Sequence, residues 1–173
     1  MPRILSDESL DTLFRKPSPE PVWLDRPVGD TLLRAVWELV KLAPVSDRGG
    51  SASILFLRSD EATKRLAPAL PPAERAALRP APIAAILASA GAHDRMQAVH
   101  DGALRGAYLT LAARALGLDC RPVWDFDAAA VEAAFFPEGT AVAGFLCGLG
   151  YGDETRSARA TPRRDLDEAC QIL

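Results

Sequence analysis

Apolar residues recur at helical spacing in several stretches of the chain and form short continuous runs in others. Ser6 is expected to cap a first short helix, whose apolar face is Leu10, Leu13 and Phe14. Asp30 is expected to cap a second helix that ends before Pro44. The residues predicted to form its buried face are Leu32, Leu33, Val36, Trp37, Leu39 and Val40.

Further along, strands and helices alternate. Residues 54–58 and 81–88 read as strands, and the continuous apolar run of the second one predicts that both of its faces are covered. Two short helices lie between them, the first capped by Ser59 or Asp60. A long helix is predicted over 93–116 and ends near Gly117. The remaining elements are expected to be a short helix starting near Asp127, a buried strand within 140–153 and an amphipathic tail helix.

This order of elements predicts one domain over residues 1–173, of the α/β or α+β class, with few strands and much helix. Residues 15–27 contain four prolines and are expected to form an extended connector. The long helix carries many small residues, which fits either a central core helix or a close helix–helix seam between two copies of the chain.

Composition narrows the function classes. The formal net charge of -3 and the absence of a basic stretch argue against a nucleic-acid binder. No apolar run approaches the roughly 18 residues that span a bilayer, and the charged start lacks a signal core, so a cytoplasmic protein is expected. Three separated cysteines and two histidines favour free thiols over a metal site or a disulfide framework. A catalytic triad lacks its usual sequence context, and no catalytic residue is assigned.

Several stretches, in order along the chain, resemble the nitroreductase family, and more closely its malonic semialdehyde reductase (3-hydroxypropanoate dehydrogenase) branch. The two most specific are "LRGAYLTLAARALGLDC" and "FLCGLGYGD". The resemblance implies an α+β, nitroreductase-like homodimer with a central antiparallel or mixed sheet flanked by helices, one of them long. It also implies FMN at the subunit interface, lined by both chains, and NADH or NADPH as the hydride donor.

The family's loop after the second helix reads Pro-Thr-Ser-x-Asn-x-Ser-Pro and supplies polar contacts to the flavin. Pro44 and Ser46 match this pattern, whereas Val45 has lost a hydroxyl and Arg48 stands at the asparagine. Arginine only donates and is always charged, so Arg48 is either a contact to a phosphate or an acidic ligand, or a solvated loop residue.

After the long helix the family has Gly-Pro-x-x-Gly-Phe, whose backbone amides approach the flavin N5 edge. This chain has "RPVWDF", in which Pro122 and Phe126 match and Asp125 replaces the second glycine. Val123 and Trp124 stand at the two intervening positions, and Trp124 replaces a small residue there. Trp124 either points inward and fills space that a flavin ring needs, or points outward towards a partner chain.

The resemblance also implies a phosphate clamp, which this chain alters. Ser18 and Glu20 stand where the family has an arginine and a histidine, and Arg163 is the best remaining candidate for a phosphate contact. Arg15 or Lys16 could substitute from the helix end. A helical excursion that helps to cover the site in relatives is also expected to be shortened here, between the second strand and the long helix.

Two functions remain open from the sequence. One is an FMN-dependent oxidoreductase that reduces a small aldehyde, nitro compound or quinone. The other is a flavin-free member of the fold that binds a different small ligand or acts as a dimeric interaction protein. The altered clamp, the altered loop and the altered Gly-Pro segment favour the second, whereas the whole-chain resemblance favours the first.

Overall fold

The computed structural model describes residues 4–46, 50–91, 94–139, 141–156 and 166–172. The helices in this part of the chain are α1 (Asp7–Leu10), α2 (Asp30–Val40), α3 (Asp60–Leu66), α4 (Pro72–Leu78), α5 (Arg95–Ala115), α6 (Ala128–Phe135) and α7 (Leu166–Ala169). The strands are β1 (Ser51–Leu57), β2 (Ile83–Ala90), β3 (Asp119–Pro122) and β4 (Ala141–Gly150). A π-helical turn follows α1 at Asp11–Arg15, and a 3-10 turn follows α3 at Ala67–Ala69.

The four strands form one sheet in the order β1-β2-β4-β3, and every neighbouring pair is antiparallel. The predicted α+β class, with an antiparallel sheet, flanking helices and one long helix, is therefore confirmed. β2 ends at Ala90 and α5 begins at Arg95, and Gly91 adopts a positive φ of 65° after the strand.

Both faces of β2 are buried, as its apolar run predicts. Ile83, Ala85 and Leu87 belong to a core shared with α2 and α5, whereas Ala84 and Ile86 belong to a second core shared with α3, α4 and α6. This alternation follows from the two-residue period of a strand. The sheet is thus a middle layer, and α5 lies across β4 and β2 on one side of it.

Local capping signals were mostly predicted well. Ser6, Ser59 and Asp127 each accept a hydrogen bond from an amide in the first turn of α1, α3 and α6. Asp30 was predicted wrongly, because Gly29 is the capping residue of α2 and Asp30 is its first helical residue. The Asp30 carboxylate instead accepts from Arg58 Nη2 at 2.6 Å.

Two further expectations need correction. The predicted buried face of α2 holds for Leu33, Val36 and Val40, but Leu39 is 39% exposed. β3 was missed altogether and read as part of the helix end, although Cys120 pairs with Leu149 and Pro122 with Cys147. Within the described residues, no helix combines the length and apolar character needed to cross a bilayer.

Candidate active site

The small residues of α5 are divided between two faces of the helix. Gly102 and Gly106 are buried against β4, whereas Ala103 and Ala107 are exposed on an adjacent face. The buried glycines thus support the interpretation of α5 as a core helix packed on the sheet. Ala103 and Ala107 leave an open apolar surface, and a seam between two copies of the chain stays a prediction.

This open surface is one wall of an apolar groove of about 590 Å³. Besides Ala103 and Ala107, the groove is lined by Gly144 and Phe145 of β4 and by residues of the β3–α6 connection. The lining residues of that connection are Pro122, Val123, Trp124 and Phe126. Three of the predicted site residues, Pro122, Val123 and Trp124, therefore lie on one groove wall.

The groove floor depends on glycine. A Cβ added to Gly102 would lie 2.7 Å from the Gly144 Cα, and one added to Gly106 would lie 2.4 Å from the Phe145 ring. Because such distances are too short for any side chain, α5 can rest directly on β4 only with glycine at these positions. This close approach places the Phe145 ring beside the helix and within the groove wall.

The Trp124 side chain points outward. Trp124 is 82% exposed at the groove rim, whereas its neighbour Val123 is 4% exposed and donates its amide to the Leu146 carbonyl at 2.9 Å. The indole therefore does not fill the groove. Of the two orientations that the sequence allowed, inward and outward, the structure shows the outward one.

A second, more polar cleft of about 390 Å³ adjoins the start of β3. Its lining includes Lys16, Ser18, Asp119 and Glu154. Arg114, near the end of α5, lines both this cleft and the apolar groove. The apolar groove and the polar cleft thus share Arg114 as a lining residue.

Arg114 is only partly satisfied by the protein. Its Nη1 donates to the Leu13 carbonyl at 3.0 Å, whereas its Nε–H is buried and has no acceptor among the described residues. A buried donor without a partner costs free energy, of about 1–3 kcal/mol. A site at this junction that supplies an acceptor would recover that cost.

The altered phosphate clamp contains no cation at Ser18. Ser18 is 9% exposed, and its Oγ accepts from the Glu20 amide at 3.1 Å. Arg15, considered as a substitute, is tied to Asp7 and Asp11 at 3.0 Å each. Hydrogen bonding to Asp11 raises the pKa of Arg15, so this cation is already engaged by carboxylates.

Lys16 is the other substitute, and it does line the polar cleft. Its Nζ lies 3.0 Å from Asp11 Oδ2. The hydrogen bond to Asp11 raises the pKa of Lys16 and, in turn, lowers the pKa of Asp11. Because the Lys16 side chain is 74% exposed and that of Asp11 is half-buried, solvent weakens this pair, and Lys16 is able to turn towards an incoming anion.

The loop after α2 lies on a different side of α5. Ser46 Oγ donates to Asp101 Oδ2 at 3.1 Å, and Asp101 is only 4% exposed. Successive helical residues are about 100° apart, so Asp101 and Ala103 face directions about 160° apart. Within one chain the structure therefore does not bring Ser46 together with Pro122 and Trp124.

Ser46 and Val45 instead border a cleft of about 440 Å³ that also contains Arg105. Arg105 is 5% exposed; its Nη1 donates to Ser89 Oγ at 2.8 Å and its Nη2 to the Gly50 carbonyl at 2.9 Å. Burial lowers the pKa of Arg105, and the charge of Asp101 opposes that shift. These contacts fix the loop ends to α5.

The remaining predicted site residues have mixed positions. Pro44 is exposed and follows the end of α2. Arg48 and Arg163 lie outside the described residues. No group of three or more potential metal ligands occurs in the part of the chain that is described.

Sequence reasoning missed Arg114 and Glu74. The signal for Arg114 was an arginine set among the small apolar residues of a long helix. Glu74 carried no local signal, because its partner Arg121 lies 47 residues further along the chain. Both lie beside the groove or contact its wall.

Comparison with known proteins identifies the family. A protein of Ralstonia nicotianae is 35% identical over 192 residues and covers 98% of each chain, and one of Burkholderia lata is 38% identical, covering 97% of this chain and 98% of its own. Both carry the name "Putative NADH dehydrogenase/NAD(P)H nitroreductase". The chain belongs to the nitroreductase family.

The solved structures agree on the fold of this nitroreductase. The FMN-dependent nitroreductase from Clostridium difficile R20291 superposes with a TM-score of 0.75 at 16% identity, covering 95% of this chain and 99% of its own. No family model matches the chain.

Proposed function

We propose that the chain is an FMN-dependent NAD(P)H oxidoreductase of the nitroreductase type. The observation that carries this proposal is the apolar groove that joins a polar cleft at Arg114. FMN likewise has a flat tricyclic ring at one end and a polar phosphate at the other, and a short polyol links the two. FMN-dependent function in the Clostridium difficile neighbour is consistent with it.

The residues present fit the two parts of FMN. Pro122, Val123 and Trp124, with Ala103 and Ala107, would hold the ring in the groove. An outward Trp124 leaves that space open. When bound, FMN supplies hydride acceptance from a nicotinamide and delivery to a carbonyl, nitro group or quinone.

The polar end would be held by Arg114 and Lys16. Arg114 lines the cleft and is always charged, so a phosphate bound there would gain a charge-assisted contact with it. Asp119 also lines the cleft, but its Oδ2 is directed to the Gly152 amide at 2.9 Å. Arg114 would thus supply the cationic phosphate contact that the chain lacks at Ser18, where the family has an arginine.

We also propose a homodimer as the working form. Met96, Val99 and Leu104 of α5 are 70%, 40% and 38% exposed, and they form an uncovered apolar surface outside the residues that line the groove. Packing of a second copy there would cover it. The Ser46 loop, which is remote from the groove within one chain, could then serve the site of the partner.

The proposed substrate is a small aldehyde, nitro compound or quinone, and the malonic semialdehyde reductase branch makes an aldehyde the first to test. The three free thiols, Cys120, Cys147 and Cys170, support a reducing, cytoplasmic setting.

One observation favours the second candidate, a flavin-free ligand-binding member of the fold. Arg15 and Lys16 are both paired with Asp11, so the polar cleft has few uncommitted cations among the described residues. This candidate predicts a groove that binds an apolar planar molecule without a phosphate. It also predicts that the protein binds neither FMN nor riboflavin.

The direct test is a titration of FMN and riboflavin into flavin-stripped protein, compared with Arg114→Met and Arg114→Lys. Loss of a charge-assisted bond is expected to weaken FMN binding by about tenfold or more in Arg114→Met, with riboflavin affinity unchanged. Arg79→Met, an exposed arginine at the end of α4, is the matched control. Wild-type protein that binds neither flavin would overturn the proposal, as would an Arg114→Met variant that binds FMN normally.

A further inference from the structure

Glu74 links α4 to the segment that forms the groove wall. Its Oε2 accepts from Arg121 Nη1 at 2.6 Å, and its Oε1 accepts from the Trp124 amide at 3.3 Å. Both carboxylate oxygens therefore accept a hydrogen bond, one from Arg121 in β3 and one from Trp124 in the groove wall.

This is a largely buried pair. The side chains of Arg121 and Glu74 are 12% and 13% exposed. Desolvation offsets much of the attraction in such pairs, so their effect on stability is modest, whereas loss of one partner leaves a charge without compensation. The pair is therefore of interest for the backbone that it holds in place rather than for its contribution to the free energy of unfolding.

The segment from Pro122 to Asp127 is held by three backbone contacts. The Val123 amide donates to the Leu146 carbonyl at 2.9 Å, the Trp124 amide to Glu74, and the Asp127 amide to the Ala69 carbonyl at 2.8 Å. The central contact is the only one of the three that depends on a side chain. Removal of Glu74 would therefore free the middle of the segment, next to Trp124.

We propose that Glu74 is a positioning residue for the groove: by bridging Arg121 and the Trp124 amide, it fixes the Trp124 wall against which a flat ligand lies. The inference rests on the proposed function, in that FMN is the ligand used to test it. Glu74 acts through Trp124 and Arg121 and does not itself line the groove.

The test combines amide hydrogen exchange of flavin-stripped protein with FMN titration of the same samples. Glu74→Ala removes both contacts, whereas Glu74→Gln keeps an acceptor for the Trp124 amide and loses the charge facing Arg121. Glu61→Ala, at an exposed glutamate in the first turn of α3, is the control. The Tm of each variant separates a loss of stability from a loss of positioning.

We expect exchange of the Trp124 amide to accelerate about tenfold or more in Glu74→Ala, and the Kd for FMN to rise by a similar factor. Glu74→Gln should retain most of the amide protection and bind FMN more tightly than Glu74→Ala. The position of the flavin absorption band should shift in Glu74→Ala and stay unchanged in Glu61→Ala.

The inference would be overturned by wild-type exchange at Trp124 in Glu74→Ala, or by faster exchange with an unchanged Kd for FMN. A lower Tm as the sole effect would assign Glu74 a structural role only and would also overturn it. If wild-type protein binds no FMN, the proposed function fails on that observation alone, and the link between Glu74 and flavin binding fails with it. The exchange data then still decide separately whether Glu74 fixes the segment.

Discussion

Gly102 of α5 and Gly144 of β4 meet backbone to backbone. A Cβ added to either residue would lie 2.7 or 2.8 Å from the Cα of the other. The contact sets the distance between the long helix and the sheet, and Gly144 also lines the apolar groove. The shape of the candidate site therefore depends on a pair of residues with no side chain.

Gly102→Ala is expected to destabilise the protein by about 1–3 kcal/mol or more, because helix and strand must separate to admit a methyl group. Denaturant unfolding measures the change. Gly29→Ala is the steric control, since a Cβ at Gly29 meets nothing within 4 Å and its φ is -75°. Because Gly29 caps α2, alanine there should cost only the smaller N-cap penalty of about 0.5–1 kcal/mol. Equal stability of Gly102→Ala and wild type would show that α5 does not rest on β4 as described.

The buried charges on the other side of α5 should be coupled. Arg105→Met removes the donors to Ser89 and to the Gly50 carbonyl, and it leaves buried Asp101 without its nearby cation. We expect a loss of about 1–3 kcal/mol in the free energy of unfolding.

A double-mutant cycle tests this coupling. Asp101→Asn should lower the free energy of unfolding less in the Arg105→Met background than in wild type, and the difference should be about 1 kcal/mol. Arg34→Met, at an exposed arginine of α2, should change stability by less than about 0.5 kcal/mol. Strict additivity of the Asp101 and Arg105 changes would contradict the account.

The three thiols should react very differently with a thiol reagent at neutral pH. Cys170 is exposed, whereas Cys120 and Cys147 are buried. Hydrogen bonding with Cys120, together with burial, raises the pKa of the Cys147 thiol well above its ordinary value, so it stays protonated and unreactive. Thiol titration should count one fast group in native protein and three in denaturant; two or more fast groups in native protein would disprove this assignment.

Trp124→Ala should separate binding from stability. Because the side chain is 82% exposed, its removal should change the free energy of unfolding by less than about 0.5 kcal/mol. Loss of its contact with a planar ring should weaken FMN binding by about three- to tenfold. Leu42→Ala, at a leucine that is 66% exposed and remote from the groove, is the control, and equal FMN affinity in both variants would remove Trp124 from the site.

Much of the fold could be predicted from local sequence signals. The caps at Ser6, Ser59 and Asp127 follow from short-range hydrogen bonding, and the doubly buried β2 follows from its apolar run. β3 could not be predicted in this way, because its sequence, Asp-Cys-Arg-Pro, has little strand propensity. β3 is a strand because it pairs with β4, and this pairing is not visible in the local sequence.

The candidate site was predicted less completely, because its contacts join distant parts of the chain. Pro122, Val123 and Trp124 were found by a motif, and they line the groove. Arg114 and Glu74 carried no such pattern: Arg114 meets the Leu13 carbonyl 101 residues away. The outward direction of Trp124 likewise depends on tertiary contacts that the sequence alone does not specify.

The visible absorption spectrum of the purified protein, with FMN released and quantified after denaturation, shows whether this nitroreductase-family chain carries FMN. We expect a flavin spectrum and, after saturation with FMN and removal of the excess, about one FMN per chain. A colourless protein that retains no FMN, and whose Tm does not change on addition of FMN, would contradict it.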